Sequence, residues 1–129
     1  MTEKILLDIT LEGLPPTVNH SYGYVGRRTY KTEECREYQL LTTLKLKAAY
    51  QGDTPYTDAV ALSITFYSAD RRRWDIDNRV KALQDCLNMA GVIKDDRQIE
   101  MLVVSREHGK KNSTRIRLYR KEKKNEAER

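Results

Sequence analysis

Two apolar periodicities follow one another in the second half of the chain, and their order constrains the fold more than any other feature of the sequence. Large apolar side chains stand at every second position of residues 60–66, the two-residue period of a strand with one buried face. Residues 77–90 then carry apolar side chains at helical spacing, and Gly91 stands where a left-handed helix stop is expected. Residues 99–104 are rich in β-branched side chains, which favour a strand. The pattern predicts a strand, a helix and a second strand in succession.

Patterns of the same kind flank this unit. Residues 5–11 carry large apolar side chains at every second position, and residues 114–118 alternate uncharged side chains with arginines. These patterns predict an opening strand and a closing strand. Residues 22–30 have the glycine and aromatic content of a short hairpin or of an extended excursion that carries two arginines. Thr32 supplies a helix cap, and the helix that it starts is expected to run to about Tyr50. The apolar positions that recur at helical spacing in this first helix are Tyr38, Leu41, Leu44 and Ala48.

The order of these elements predicts an α/β (α+β) fold. We expect a small single domain over residues 1–120, with a mixed sheet of about four strands and two main helices packed on one face. A chain of 129 residues fits one domain and can bury a core without disulfide bonds. The last residues, 121–129, are dominated by charge, and we expect them to be a disordered tail.

The formal charge of +5 favours an anionic partner. The tail contributes only +1 of this charge, because its four basic residues face three acidic ones. Cys35 and Cys86 stand far apart without a metal-binding motif, which favours reduced thiols in apolar positions over zinc. No apolar run approaches the roughly 20 residues of a membrane span. The opening residues lack the layout of a signal peptide, so we expect a cytoplasmic protein without a membrane partner.

Asp75 and Asp77 lie just before or at the start of the second helix, where residues two apart in extended chain point the same way. Their carboxylates can therefore converge on a hard cation such as Mg²⁺, which takes oxygen ligands. The alternative is that one carboxylate caps the helix while the other is solvated.

A second acidic cluster, Asp95 and Asp96, follows the helix and is placed to meet the first if the next strand returns beside the preceding one. The alternative is an ordinary aspartate-rich turn. Lys81 follows Asp77 by four residues, so it either forms a surface ion pair or contacts a phosphate.

Basic residues surround these acids in the sequence. Arg71, Arg72 and Arg73 directly precede the acidic pair, and guanidinium groups bind phosphate through two parallel hydrogen bonds. If the strand continued through them, one of the three would point inward; the alternative for all three is a solvated edge. Trp74 is expected to pack or to stack on a base. A second basic stretch, interleaved with tyrosines, resembles a surface for nucleic acid and contains Arg27, Arg28 and Lys31.

Residues 70–78, followed by Lys81, Gly91 and the acids at 95 and 96, strongly resemble the RusA family of Holliday-junction resolvases. The opening is similar too, because Pro15 and Pro16 are followed by Asn19, after which come a basic aromatic stretch and a helix. The resemblance therefore extends over nearly the whole chain. Two positions depart from the family pattern: Trp74 stands where a basic residue is expected, and Thr17 replaces a serine.

The resemblance implies a Mg²⁺-dependent endonuclease, with Mn²⁺ as a possible substitute, that acts as a homodimer on branched DNA and above all on four-way junctions. It implies that Asp75, Asp77 and Asp96 hold the metal, with Asp95 as an accessory acid and Lys81 beside the scissile phosphate. Asn19 joins the two basic stretches as an expected DNA contact. Such proteins are often encoded by prophages.

Two other functions remain open from the sequence. A non-catalytic DNA-binding protein of recombination needs only the basic stretches, and it predicts binding without metal-dependent cleavage. A phosphatase or sugar transferase with an Asp-x-Asp motif usually carries the pair at the end of an apolar strand, whereas residues 71–74 intervene here.

Overall fold

The computed structural model describes residues 4–17, 22–25 and 28–121. The strands of the described part are β1 (Ile5–Glu12), β2 (Tyr22–Val25), β3 (Arg28–Lys31), β4 (Val60–Ser68), β5 (Ile99–His108) and β6 (Ser113–Arg120). The helices are α1 (Glu33–Ala49) and α2 (Val80–Met89), and short 3-10 turns precede α2 (Ile76–Arg79) and β5 (Asp96–Gln98). The predicted element order is confirmed.

Four of the strands form one mixed sheet in the order β1-β6-β4-β5. β6 pairs antiparallel with both β1 and β4, while β5 pairs parallel with β4. A parallel pair needs a crossover connection, and α2 with its flanking turns provides it. The strand, helix and strand predicted in the second half of the chain are therefore neighbours in space, and the predicted α+β class is confirmed.

The core lies on the face of the sheet that the two helices cover. The large apolar side chains whose two-residue spacing predicted β4 are at most 1% exposed, namely Val60, Leu62, Ile64 and Phe66. They pack with side chains of α2 and of the neighbouring strands, namely Leu7, Leu11, Leu83, Leu87, Ile116 and Leu118. Both cysteines are free and buried, as predicted, and burial raises the pKa of the Cys86 thiol to about 11.

The buried face of α1 is not the apolar stripe that predicted the helix. Leu41 and Leu44 are 59% and 57% exposed, and Ala48 is exposed as well, although Tyr38 is half-buried. The side chains that α1 buries are Cys35, Gln39, Thr42 and Leu46. These positions also follow helical spacing, but two of the four are polar, so apolar residues alone indicated the wrong side. Thr32 caps the helix as predicted, because its hydroxyl accepts a hydrogen bond from the Cys35 backbone N–H.

α2 begins later than predicted and ends as predicted. Asp77 belongs to the preceding 3-10 turn, and the α-helix proper starts at Val80. Gly91 has a φ of 73°, the left-handed conformation that glycine adopts without a Cβ penalty.

β5 is an edge strand whose middle is apolar and exposed. Met101, Leu102 and Val103 are 51%, 44% and 52% exposed.

The predicted hairpin is confirmed as the β2–β3 pair. Within the described part of the chain, no helix has both the length and the apolarity to cross a membrane. Residues 122–129 lie outside that part, so the disordered tail stays a prediction.

Candidate active site

The acidic pair lies in the connection between β4 and α2. Asp75 is extended, with φ −74° and ψ 119°, and directly precedes the 3-10 turn that contains Asp77. Both residues are exposed. Asp75 makes no side-chain capping hydrogen bond, so the structure gives no support to the alternative in which this carboxylate serves as a helix cap.

The carboxylates of Asp75 and Asp77 fit a hard divalent cation. No hydrogen bond or ion pair joins either carboxylate to another side chain in the described part of the chain. Two unneutralised carboxylates two residues apart offer only oxygen donors, the ligand type that Mg²⁺ and Mn²⁺ prefer.

The second acidic cluster is divided between two roles. Asp95 accepts a hydrogen bond from the Arg97 backbone N–H at 2.8 Å and forms an ion pair with the Arg97 side chain, also at 2.8 Å. With Gln98 it completes a capping box at the turn before β5, which is the ordinary turn chemistry that the sequence left open. Asp96 is exposed, and its carboxylate accepts a hydrogen bond from the Asn88 side chain near the end of α2.

One copy of the chain does not bring Asp96 to the acidic pair. Asp75 and Asp77 follow the C-terminal end of β4, whereas Asp96 precedes the N-terminal end of β5. Because β4 and β5 are parallel, these two positions lie at opposite ends of the strands. At about 1.5 Å per helical residue, Asp77 and the Asn88 that binds Asp96 are roughly 16 Å apart. The described residues accordingly contain no group of three metal-binding side chains. The expectation that the returning strand unites the two clusters is therefore wrong for a single chain.

The predicted phosphate-binding residues near the acids are accessible. Arg71, Arg72 and Arg73 are all exposed, because β4 ends at Ser68 and no strand continues through them to turn one inward. Arg72 forms an ion pair with Asp70 at 2.6 Å, with its own side chain 88% exposed. Lys81 lies 3.9 Å from the carboxylate of Asp85 rather than pairing with Asp77.

The second basic stretch is only partly described. The ammonium group of Lys31 donates a hydrogen bond to the side-chain oxygen of Gln39 at 2.8 Å, which ties this lysine to α1. Arg28 begins β3, but its side chain lies outside the description. Asn19 and Arg27 lie outside the described residues altogether.

Trp74 contacts two arginines that sequence reasoning missed. The guanidinium carbons of Arg79 and Arg106 lie 4.8 and 5.4 Å from the centre of the Trp74 ring. Phe66 contacts the same ring edge to face, with the two ring centres 5.5 Å apart. Of the two roles expected for Trp74, packing is therefore the one that the structure shows. Arg106 also donates a hydrogen bond to the Trp74 carbonyl at 3.0 Å, while Arg79 donates to the carbonyl of Pro15. No local spacing signals these contacts, because the bonded residues are 32 and 64 positions apart.

A cavity of about 320 Å³ opens beside this stack. Its lining includes Arg72, Arg73 and Arg79 against a single acid, Asp70. Burial lowers the pKa of Arg79, because desolvation penalises a cation that no described acid contacts directly. The surface next to the acidic pair is thus predominantly positive.

A small α+β domain that presents an unneutralised carboxylate pair beside a run of arginines has the make-up of a nuclease, because carboxylates suit a metal and arginines suit the phosphate backbone. Comparison with known families agrees. The family described as Endodeoxyribonuclease RusA matches residues 12–119, and the chain belongs to this family.

Two relatives show the extent of the similarity. The Crossover junction endodeoxyribonuclease RusA of Aquifex aeolicus is 31% identical over 100 residues, which are 77% of this chain and 79% of the relative. The protein of the same name from Escherichia coli K12 is 34% identical over 85 residues, or 66% of this chain and 70% of the relative. The acidic pair, the arginine run and the turn with Asp96 all lie inside the matched family region.

Proposed function

We propose that the protein is a Mg²⁺-dependent, structure-selective endonuclease that resolves four-way DNA junctions by paired nicks. The observation that carries the proposal is the free carboxylate pair, Asp75 and Asp77, within a family match over residues 12–119. The relatives' name, crossover junction endodeoxyribonuclease, gives the substrate class and the reaction, phosphodiester hydrolysis. A DNA substrate makes the cytoplasm the expected place of action.

In this proposal Asp75, Asp77 and Asp96 hold the metal, and Mn²⁺ can replace Mg²⁺. The ion, when bound, polarises a phosphate oxygen and favours ionisation of a water. The chain itself orients the ligands: Asp75 is held at the mouth of a 3-10 turn, and Asp96 is oriented by its hydrogen bond from Asn88. Asp95 acts by holding the turn that carries Asp96.

The basic residues bind the DNA backbone. Arg71, Arg72 and Arg73 are exposed beside the acids and offset the repulsion between carboxylates and a polyanion. Lys81 lies one helical turn beyond Asp77 and is 58% exposed, so its weak contact with Asp85 leaves it available to a phosphate. The remaining proposed DNA contacts are Asn19, Arg27, Arg28 and Lys31.

The proposal requires two copies of the chain. Asp96 lies about one helix length from Asp77 within one copy, so a complete ligand set needs Asp96 from a second copy. A two-fold homodimer then carries two such sites, one for each strand that a junction resolvase nicks.

The β5 edge suits this dimer. An edge strand presents unpaired backbone groups, and the exposed Met101, Leu102 and Val103 add apolar surface. If two copies of β5 pair antiparallel about Leu102, Arg106 of one copy stands opposite Gln98 of the other. Arg106 binds the residue before Asp75, and Gln98 is two residues from Asp96. The pairing that covers the apolar edge therefore draws the two halves of the ligand set toward one another.

Junction cleavage with matched variants tests the function. The purified protein is incubated with a synthetic four-way junction in Mg²⁺ and in EDTA, alongside Asp75→Asn, Asp77→Asn and the control Asp53→Asn. Asp53 is an exposed loop acid outside the proposed site. We expect cleavage only in Mg²⁺ and a loss of more than about 100-fold in the two site variants, since even residues that merely support a metal ligand are worth 10–100-fold. Asp53→Asn should cut like the parent.

Two results would overturn the proposal. Junctions that stay uncut by the parent in Mg²⁺ and Mn²⁺, although the protein binds them, would favour a non-catalytic DNA-binding protein. Parental cleavage by Asp75→Asn and Asp77→Asn would remove the carboxylates from the mechanism.

A further inference from the structure

We propose that Arg106 is a positioning residue for the metal ligands: its guanidinium holds Trp74 by both backbone and ring, and so sets the placement of Asp75 and Asp77. The inference rests on the proposed function, because it assumes that these two carboxylates hold a metal.

The hold on the backbone comes from the sheet. Arg106 belongs to β5 and stands opposite Phe66 of β4, so its backbone is fixed by strand pairing. Its Nη1 donates to the Trp74 carbonyl at 3.0 Å, and this carbonyl belongs to the peptide that joins Trp74 to Asp75. In the described part of the chain, this is the hydrogen bond that ties residues 73–77 to the sheet. The acids themselves are exposed and have no such tie.

The hold on the ring reinforces it. The Arg106 guanidinium lies 5.4 Å from the Trp74 ring centre, within the range of a cation–π contact. The Arg79 guanidinium lies closer, at 4.8 Å, and its hydrogen bond to the Pro15 carbonyl links the same tryptophan to the loop after β1. Phe66, which is fully buried in the core, packs against the same ring. Trp74 thus links the acidic turn to the core.

Arg106 achieves this without neutralising the ligands. It forms no ion pair with Asp75 or Asp77, since no described cation lies within ion-pair distance of either carboxylate. An arginine paired with a carboxylate would compete with a metal for its oxygens. A guanidinium bound to the neighbouring carbonyl instead leaves the oxygens free and limits their movement. Metal sites need such support because ligand displacements of about 1 Å already impair function.

The test compares Arg106→Gln and Arg106→Lys with the control Arg115→Gln. Arg115→Gln removes the same charge from another strand of the sheet, β6, where Arg115 pairs with Asp8 rather than with Trp74. Three quantities are measured on the full chain: Mn²⁺ binding without DNA by electron paramagnetic resonance, junction binding in EDTA, and the Mg²⁺ dependence of cleavage.

We expect Arg106→Gln to weaken Mn²⁺ binding about tenfold or more, the range for residues that orient metal ligands, and to raise the Mg²⁺ needed for half-maximal cleavage in parallel. Junction binding in EDTA should stay within about twofold of the parent. Arg106→Lys keeps a hydrogen-bond donor but lacks the planar group, so a smaller weakening is expected. Arg115→Gln should bind Mn²⁺ like the parent.

Parental Mn²⁺ affinity in Arg106→Gln overturns the inference, as does a loss of junction binding in EDTA as large as the loss of Mn²⁺ binding, because Arg106 would then be a DNA contact. If Arg106→Gln fails to fold, Arg106→Lys decides: parental Mn²⁺ affinity in that variant also overturns the inference. A parent that neither binds Mn²⁺ nor cuts junctions overturns the proposed function, and this inference with it.

Discussion

Single acidic residues of this chain differ in whether an arginine neutralises them. Asp70 pairs with Arg72, Asp95 with Arg97, and Asp8 with Arg115. In each case the partner's hydrogen bonds hold the pKa of the aspartate below its ordinary value. The carboxylates of Asp75 and Asp77 have no such partner in the described part of the chain, although three arginines directly precede them. Acids that stabilise turns and strands are thus distinguished by their contacts from acids that remain available to a metal.

The Asp8–Arg115 ion pair makes a prediction about pH. We expect Asp8→Asn to lower the free energy of unfolding at pH 7 by about 0.2–1 kcal/mol, the range for partly exposed cross-strand charge pairs. The hydrogen bond from Arg115 lowers the pKa of Asp8 in the folded state. The stabilisation is therefore present above the unfolded-state pKa and is lost as pH falls through the folded-state pKa. Urea unfolding of parent and variant at pH 7 and pH 3 should show a smaller difference at pH 3.

Asp53→Asn serves as the control for this measurement, because Asp53 is exposed and forms no ion pair in the described part of the chain. An equal difference between parent and Asp8→Asn at both pH values would contradict the linkage. So would a difference that grows on acidification.

Among the elements, α1 shows what helical spacing in the sequence can predict and what it cannot. Its cap and its length followed from Thr32 and the helical spacing, and both are confirmed. Its orientation did not follow, because Cys35 and Leu46 are buried with two polar residues while leucines stay exposed. Which face of a helix is buried depends on the surface that it packs against, and here that surface is α2 and β1.

A pair of leucines tests the orientation of α1. Leu46 is fully buried, so Leu46→Ala is expected to lower the free energy of unfolding by about 2–5 kcal/mol. Leu41 is 59% exposed, so Leu41→Ala is expected to change it by at most about 0.5 kcal/mol. Chemical denaturation of both variants measures the contrast. A larger loss from Leu41→Ala than from Leu46→Ala would reverse the assignment of faces.

For the whole molecule, the parallel pairing of β4 and β5 has the largest functional consequence. It requires α2 as the crossover connection between the two strands. It also leaves Asp75 and Asp77 at one end of the strands and Asp96 at the other end. In the proposed homodimer, a site that needs all three residues is shared between copies of the chain. The exposed apolar middle of β5 offers the surface for that pairing.

Subunit mixing tests the shared site. An Asp75→Asn, Asp77→Asn double variant and an Asp96→Asn variant should each be inactive alone. Refolded together in equal amounts, they should regain single-strand nicking at roughly a quarter of the parental level, because half of the dimers carry one intact site of two. Paired incision should not return, since no mixed dimer has two intact sites. Junction nicking on denaturing gels, compared with plasmid-borne paired cutting, measures both.

The control mixes Asp75→Asn with Asp77→Asn, which act on the same half of the ligand set. Every site in that mixture lacks a ligand, so no activity is expected. Restored nicking in the control, or none in the experimental mixture, would rule out a site shared in this way.

The sequence by itself determined the elements and the position of the candidate acids. Alternation and helical spacing set β4 and α2, Gly91 set the helix end, and Asp75 and Asp77 marked the acidic turn, because these signals are local and act within a few residues. Only the tertiary structure decided which elements meet. In the structure α1 buries a partly polar face, and Arg106 contacts Trp74, which is 32 positions away in the sequence. Asp96 and Asp77 lie apart within one chain. These outcomes depend on strand order and direction, which arise from packing between distant segments and have no local signature.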